Sequence, residues 1–394
     1  MTHDLERKKG NQACEILEEL DLDCWLVWVR ETSEMPDPVL KLVLGGDLVW
    51  HSALLYTRSQ EQLAIVGNFD ADGLAANGLY DRIIPYDGGI SDALRRELAR
   101  IDPQRIAVNI SRDNVAADGL TVGMHAALLD ALEGTPYGDR LVSAADLVGR
   151  LRGRKLPEEV ARIERAVAIT ERIFEEATAF LRVGQTEEEI HRFFHERMAA
   201  HGVGDAWQAA GNPAVDAGPN KAFGHTAPSS NPTKPGHLLH FDFGVRADGY
   251  CSDLQRMVYF GAPEAVPDQV RNAFETVRGA IAAAAAFLRP GVRGREVDAV
   301  ARSFVVDAGY PEFKHALGHQ VGRSAHDGGT ILGPPWERYG ETVNGIVEAD
   351  SVFTLELHVP TEDYGSVSLE EDILVTAGGC RFLSRPQREL ICLP

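Results

Sequence analysis

A chain of 394 residues is long enough for two domains, and 44% hydrophobic with 25% charged residues is an ordinary globular composition. Acidic residues outnumber basic ones 59 to 39, and the formal charge of −20 argues against non-specific nucleic-acid binding and against an anionic membrane surface. Five cysteines without CxxC spacing, no apolar stretch in Met1 to Lys9, and a longest apolar run of ten residues (Gly279 to Leu288) lead us to expect a soluble, cytoplasmic chain with reduced thiols.

In chain order, Glu6 to Leu20 has helical periodicity and Cys24 to Val29 is a buried-strand run. Ala53 to Thr57, Leu63 to Val66, Arg82 to Pro85 and Arg105 to Asn109 also read as strands, with helices at Ser91 to Arg100 and Leu120 to Leu132. Residues 1–150 thus form a small α/β domain with no convergent acids, no glycine-rich phosphate loop and no metal-ligand spacing. The boundary falls in Leu151 to Glu159, where Pro157 followed by two acids marks a helix entry. A long amphipathic helix runs from there to about Phe180, and residues 151–394 form the second domain.

The second domain contains an internal repeat. Ala179-Phe180-Leu181-Arg182-Val183-Gly184 recurs as Ala286-Phe287-Leu288-Arg289-Pro290-Gly291, and Gly202 recurs as Gly309, all at one offset of 107 residues. Each unit reads as helix, glycine turn, helix, then strands, and each delivers two acids. Asp242 lies in Leu238-Leu239-His240-Phe241-Asp242-Phe243, and Glu356 lies in Val352-Phe353-Thr354-Leu355-Glu356-Leu357, with the same apolar pattern around both. We read this as a duplication whose two α/β halves pack their sheets around a shared cleft.

Asp242, Asp253, Glu356 and Glu370 all sit in or beside strand runs. A carboxylate in an apolar strand is costly to bury unless it is paired, hydrogen-bonded or bound to a cation. Four of them with His319 point to a dinuclear metal site, and oxygen-rich ligation with a single imidazole suits Mn²⁺, Co²⁺ or Zn²⁺. The segment Lys314 to Asp327 is not an HExxH helix, and its His315, His319 and His326 fall among glycines, as in loop and strand. His225 lies upstream in a polar loop, Phe223-Gly224-His225-Thr226.

These motifs resemble those of the pita-bread metallopeptidases: prolidases (Xaa-Pro dipeptidases), aminopeptidase P and creatinase-like relatives. The paired aspartates of that family match Asp242-Phe243-Gly244 and Gly249-Tyr250-Cys251-Ser252-Asp253. Its histidine segment matches His315, His319, Gly322 and His326, and its two glutamates match Glu356 and Glu370. The resemblance implies a creatinase-like N-terminal α/β domain (1–150) and a pseudo-two-fold pita-bread domain (151–394) with an antiparallel sheet and flanking helices. It implies two divalent ions held by Asp242, Asp253, His319, Glu356 and Glu370, with Asp253 and Glu370 bridging them. A hydroxide between the ions would be the nucleophile, Glu356 the proton acceptor, and His225, His315 and His326 the substrate-binding residues, with His225 and His326 also shuttling protons. The expected activity is that of an Xaa-Pro dipeptidase, acting as a homodimer. The alternatives are an Xaa-Pro aminopeptidase, a creatinase-like or lyase enzyme for a non-peptide substrate, and an inactive binding module.

The chain departs from the pattern at several places. Ala247 stands where the family has Tyr, Ser368 where it has Arg, and Glu356-Leu357-His358 where it has Glu-Pro-Gly. Loss of the Tyr and Arg is expected to remove partners that orient the carboxylates, a loss typically worth about 10–100-fold in affinity or activity.

Overall fold

The computed structural model describes residues 3–219 and 227–394 and divides into two units, one ending at Arg152 and one beginning at Gly153. The first unit runs α1 (Asp4–Glu19), β1 (Cys24–Val29), α2 (Leu40–Val43), β2 (Ser52–Thr57), β3 (Gln62–Gly67), α3 (Asn68–Asn77), β4 (Arg82–Tyr86), α4 (Ser91–Ile101), β5 (Ile106–Val108), α5 (Val122–Ala131), β6 (Leu141–Ser143) and α6 (Ala145–Gly153). Its sheet has the order β4-β3-β2-β1-β5-β6. The central strand β1 shows why this sequence folds so. Trp25, Val27 and Val29 pack with Ala13, Ile16 and Leu17 of α1, while Cys24, Leu26 and Trp28 pack on the other face with Leu94, Leu98 and Leu128 of α4 and α5. Successive side chains of a strand point to opposite faces, so a strand covered on both sides must be apolar throughout.

The second unit runs α7 (Pro157–Phe180), α8 (Glu187–His201), β7 (Gly204–Asp205), β8 (Ala214–Ala217), β9 (Leu238–Phe243), β10 (Val245–Ala247), β11 (Tyr250–Cys251), β12 (Leu254–Phe260), α9 (Asp268–Phe287), α10 (Gly294–Asp307), β13 (Val352–Pro360), β14 (Ser366–Thr376), β15 (Gly379–Phe382) and β16 (Ile391–Leu393). The repeat seen in the sequence has a backbone counterpart. Gly184 and Gly291 both adopt a left-handed conformation (φ +94° and +92°), which favours glycine. Each donates its N–H to the chain entering the strand layer, Gly184 to Thr233 O (3.0 Å) and Gly291 to Val347 O (2.9 Å). Thr186 then bridges Pro232 as Arg293 bridges Ile346.

The halves do not keep separate sheets. Their strands join in one antiparallel path, β13-β14-β12-β9-β8, through the pairing of β12 with β14. Each half alone would leave the edge of a strand exposed, and joining the two satisfies both rows of backbone groups. The two faces of this sheet are sharply different. On β13, Phe353, Leu355, Leu357 and Val359 pack into the core beneath α9, while Thr354, Glu356 and His358 alternate with them. On β9, Phe241 and Phe243 meet Phe174 of α7 and Phe194 of α8, which leaves His240 and Asp242 for the other face.

Candidate metal centre

Three acids occupy one row across four adjacent strands. Asp242 on β9 stands opposite Gln255 on β12, Gln255 opposite Glu370 on β14, and Glu370 opposite Glu356 on β13. Directly opposed residues of an antiparallel pair share a face. The row therefore presents three carboxylates and one carboxamide side by side. Asp253, the residue before β12, adds a fourth carboxylate, within hydrogen-bonding and Coulombic reach of Asp242.

His319 reaches the row from a segment lying along the edge of β13. Glu356 N–H donates to Leu317 O (2.7 Å), Thr354 N–H to His319 O (2.9 Å) and Val321 N–H to Val352 O (3.0 Å). A Cβ on Gly318 would stand 2.0 Å from Thr354 O, so this approach requires glycine. The segment places His319 Nε2 3.7 Å from Glu356 Oε1, 3.8 Å from Asp253 Oδ2 and 4.0 Å from Glu370 Oε1. Asp253, His319 and Glu370 each offer a ligand atom, all three within 4.8 Å of one another.

The electrostatics of this cluster are unfavourable for bare carboxylates. Burial, then the neighbouring Asp242, pushes Asp253 well above the usual carboxylate range, and burial followed by Asp253 does the same to Glu370. Glu356 is pushed up to about 8, by burial and then by Asp242. Burial, with His326 beside it, pushes His319 down to about 3, which leaves a neutral ring with a free lone pair. Among the described residues, His319 is the one ion-pair partner of Asp253, Glu356 and Glu370. No lysine or arginine offsets them there. Carboxylate oxygens with one neutral imidazole form a donor set that fits hard or borderline divalent cations.

Residues 161–377, more than half of the chain, match the family model described as metallopeptidase family M24. The chain belongs to metallopeptidase family M24. It is 28% identical over 328 residues to an uncharacterized peptidase of Staphylococcus saprophyticus, spanning 83% of this chain and 86% of that one. It is 30% identical over 255 residues to an Xaa-Pro dipeptidase of Lactobacillus helveticus, spanning 64% of this chain and 65% of that one. Among solved structures, an X-Pro aminopeptidase of Thermotoga maritima aligns over 98% of this chain and 99% of its own, with a TM-score of 0.72 at 24% identity. The fold is the mixed α/β pita-bread fold of these M24 proteins. Among the described residues, no helix is long and apolar enough to cross a membrane.

The remaining M24 positions are placed as follows. His326 is exposed, with its ring edge-on to His319 at a centroid distance of 4.2 Å. His315 is partly buried, its Nδ1 2.7 Å from Ala316 O and its Nε2 3.0 Å from His358 Nδ1. His358 is the residue standing in the departure from Glu-Pro-Gly, so that departure brings an imidazole against His315. His225 lies outside the described residues. Ala247 is buried on β10 opposite Tyr250.

Where Ser368 replaces the Arg, Glu356 and Glu370 share another partner, Gln255. Its Nε2 donates to Glu356 Oε2 (3.2 Å) and to Glu370 Oε2 (3.0 Å), and its Oε1 accepts from Ser368 Oγ (2.5 Å) and lies 2.9 Å from His240 Nε2. His240 Nδ1 in turn lies 3.0 Å from Asp216 Oδ2. Sequence reasoning missed Gln255, His240 and Asp216. The available signal was an uncharged amide two residues after Asp253, and a histidine two before Asp242, each in a mostly apolar strand.

Proposed function

We propose that this M24 chain is a dinuclear-metal hydrolase of Xaa-Pro bonds, a dipeptidase in preference to an aminopeptidase. The observation that carries the reading is the convergence of three strand-borne acids, Asp253 and His319 with no cationic side chain set against Asp253, Glu356 and Glu370 among the described residues. In this reading Asp242, Asp253, His319, Glu356 and Glu370 hold two divalent ions, with Asp253 and Glu370 shared between them. Bound there, the ions would supply an activated water and polarise the scissile carbonyl. Glu356, whose Oε1 faces His319, accepts the proton released in the attack. His326 and His225 orient the substrate and pass protons, and His315 contributes to substrate binding from its place against His358.

Proline as the leaving residue fits a dedicated pocket. Its peptide nitrogen carries no hydrogen and its ring fixes the backbone, so a site that depends on that N–H rejects it. We assign residues 1–150 to a creatinase-like N-terminal domain and 151–394 to the catalytic domain, in a cytoplasmic homodimer. The name of the Lactobacillus helveticus relative supports the dipeptidase choice. The test is free-proline release from Ala-Pro and Leu-Pro, with a proline-free dipeptide and an Xaa-Pro-Yaa tripeptide as comparisons, after chelation and reconstitution with Mn²⁺, Co²⁺ or Zn²⁺. We expect release from the two Xaa-Pro dipeptides and little turnover of the others. Silence with all three metals would shift the reading to non-peptide chemistry on the same fold.

A further inference from the structure

We propose that Gln255 is a positioning residue that clamps the two glutamates of the metal centre from the middle of the row, in place of the arginine whose position Ser368 occupies. The inference rests on the metal-centre reading above and goes beyond it to the residue that sets the glutamate geometry.

The chemistry of the side chain fixes its orientation. A carboxamide has two N–H donors on nitrogen and two acceptor lone pairs on oxygen. Gln255 turns its two N–H groups toward the glutamate Oε2 atoms, and its oxygen accepts from Ser368 and lies against His240 Nε2. With nitrogen and oxygen exchanged, the amide oxygen would face two acceptor-only carboxylates whenever the glutamates are ionised, as metal ligands are. Each glutamate is thereby divided between two tasks. Its Oε2 is tied to Gln255, and its Oε1 faces His319, at 3.7 Å for Glu356 and 4.0 Å for Glu370. Fixing one oxygen fixes the direction of the other, which is what orienting partners behind metal ligands do.

The small side chain at 368 is what makes room. Ser368 is 2% exposed, and its hydroxyl touches Gln255 Oε1 while also lying 3.2 Å from Leu357 O. A guanidinium extending from that position would meet Gln255, whose Oε1 the hydroxyl already touches. The two residues therefore form an alternative solution to the same problem, in which the donor comes from β12 and not from β14. The exchange has an electrostatic consequence. An arginine would bring a permanent positive charge to the carboxylates, whereas the amide brings donors and none.

The experiment measures Mn²⁺ affinity of chelated full-length protein by titration calorimetry, for wild type, Gln255→Met, Gln255→Ala, Ser368→Arg and the double variant Gln255→Ala/Ser368→Arg. Circular dichroism confirms folding, and the nearly isosteric methionine guards against a packing defect. We expect about a 10–100-fold loss of affinity for Gln255→Met. Ser368→Arg alone should also lose affinity, and the double variant should recover to within about tenfold of wild type, a non-additive result expected of two residues sharing one task. Wild-type affinity in Gln255→Met, or strictly additive losses in the double variant, would overturn the clamp and leave the metal centre standing. A wild-type protein that takes up no Mn²⁺ would overturn the metal-centre reading, and the clamp with it.

Discussion

His326 and His319 lie with rings in contact, yet their surroundings separate their tasks. His319 is held by backbone pairing along β13 and faces three carboxylates, while His326 is exposed on the same segment. We predict that His326→Ala keeps the full metal content and loses turnover by about 10²–10³-fold, the scale of a positioned proton-transfer group. Metal analysis alongside kcat decides it, because an alanine variant missing one equivalent of metal would make His326 a ligand. At this scale the sequence was legible where a residue broke a rule that costs free energy. Asp242, Glu356 and Glu370 stood out as charges in apolar strands, and the burial that pushes their neighbourhood toward neutrality is the same cost seen from the structure. Gln255 breaks the rule more gently, being polar and uncharged, and so passed as an ordinary strand residue.

Among the elements, the edge of β13 does most to assemble the centre. Glu356 points from the strand, and His319 is supplied by the segment hydrogen-bonded along it, so a shift of that segment would separate the two. Gly318 controls the distance. Adding a side chain there places its Cβ 2.0 Å from a backbone oxygen that cannot swing away. We expect Gly318→Val to cost about 1–3 kcal/mol of stability, as overpacking does, and to remove activity by displacing His319. Denaturant unfolding of the metal-free protein measures the first effect apart from the second. The runs behind β1, β2, β3, α4 and α7 were readable because pattern and burial agreed. Helix α3 was not, since Asn68–Asn77 buries only Ala71 and Leu74 and so carries no apolar stripe.

Across the second unit as a whole, duplication explains how acids 128 residues apart in the chain, from Asp242 to Glu370, come to stand in one row. The repeat itself was visible as a fixed offset between helix ends. That strands of both halves join in one seven-stranded sheet was not, because which strand edge pairs with which is decided by long-range contacts that leave no local pattern. The row that results has the composition and the charge that suit a cation. Its most direct test is the metal stoichiometry of protein stripped by chelation and reconstituted with Mn²⁺, measured for wild type and for Asp253→Ala. The account predicts about two ions per chain in the wild type, the two-metal arrangement of a hydrolase, and loss at both positions when the shared Asp253 is removed. A wild-type stoichiometry near zero, or a full complement retained by Asp253→Ala, would contradict it.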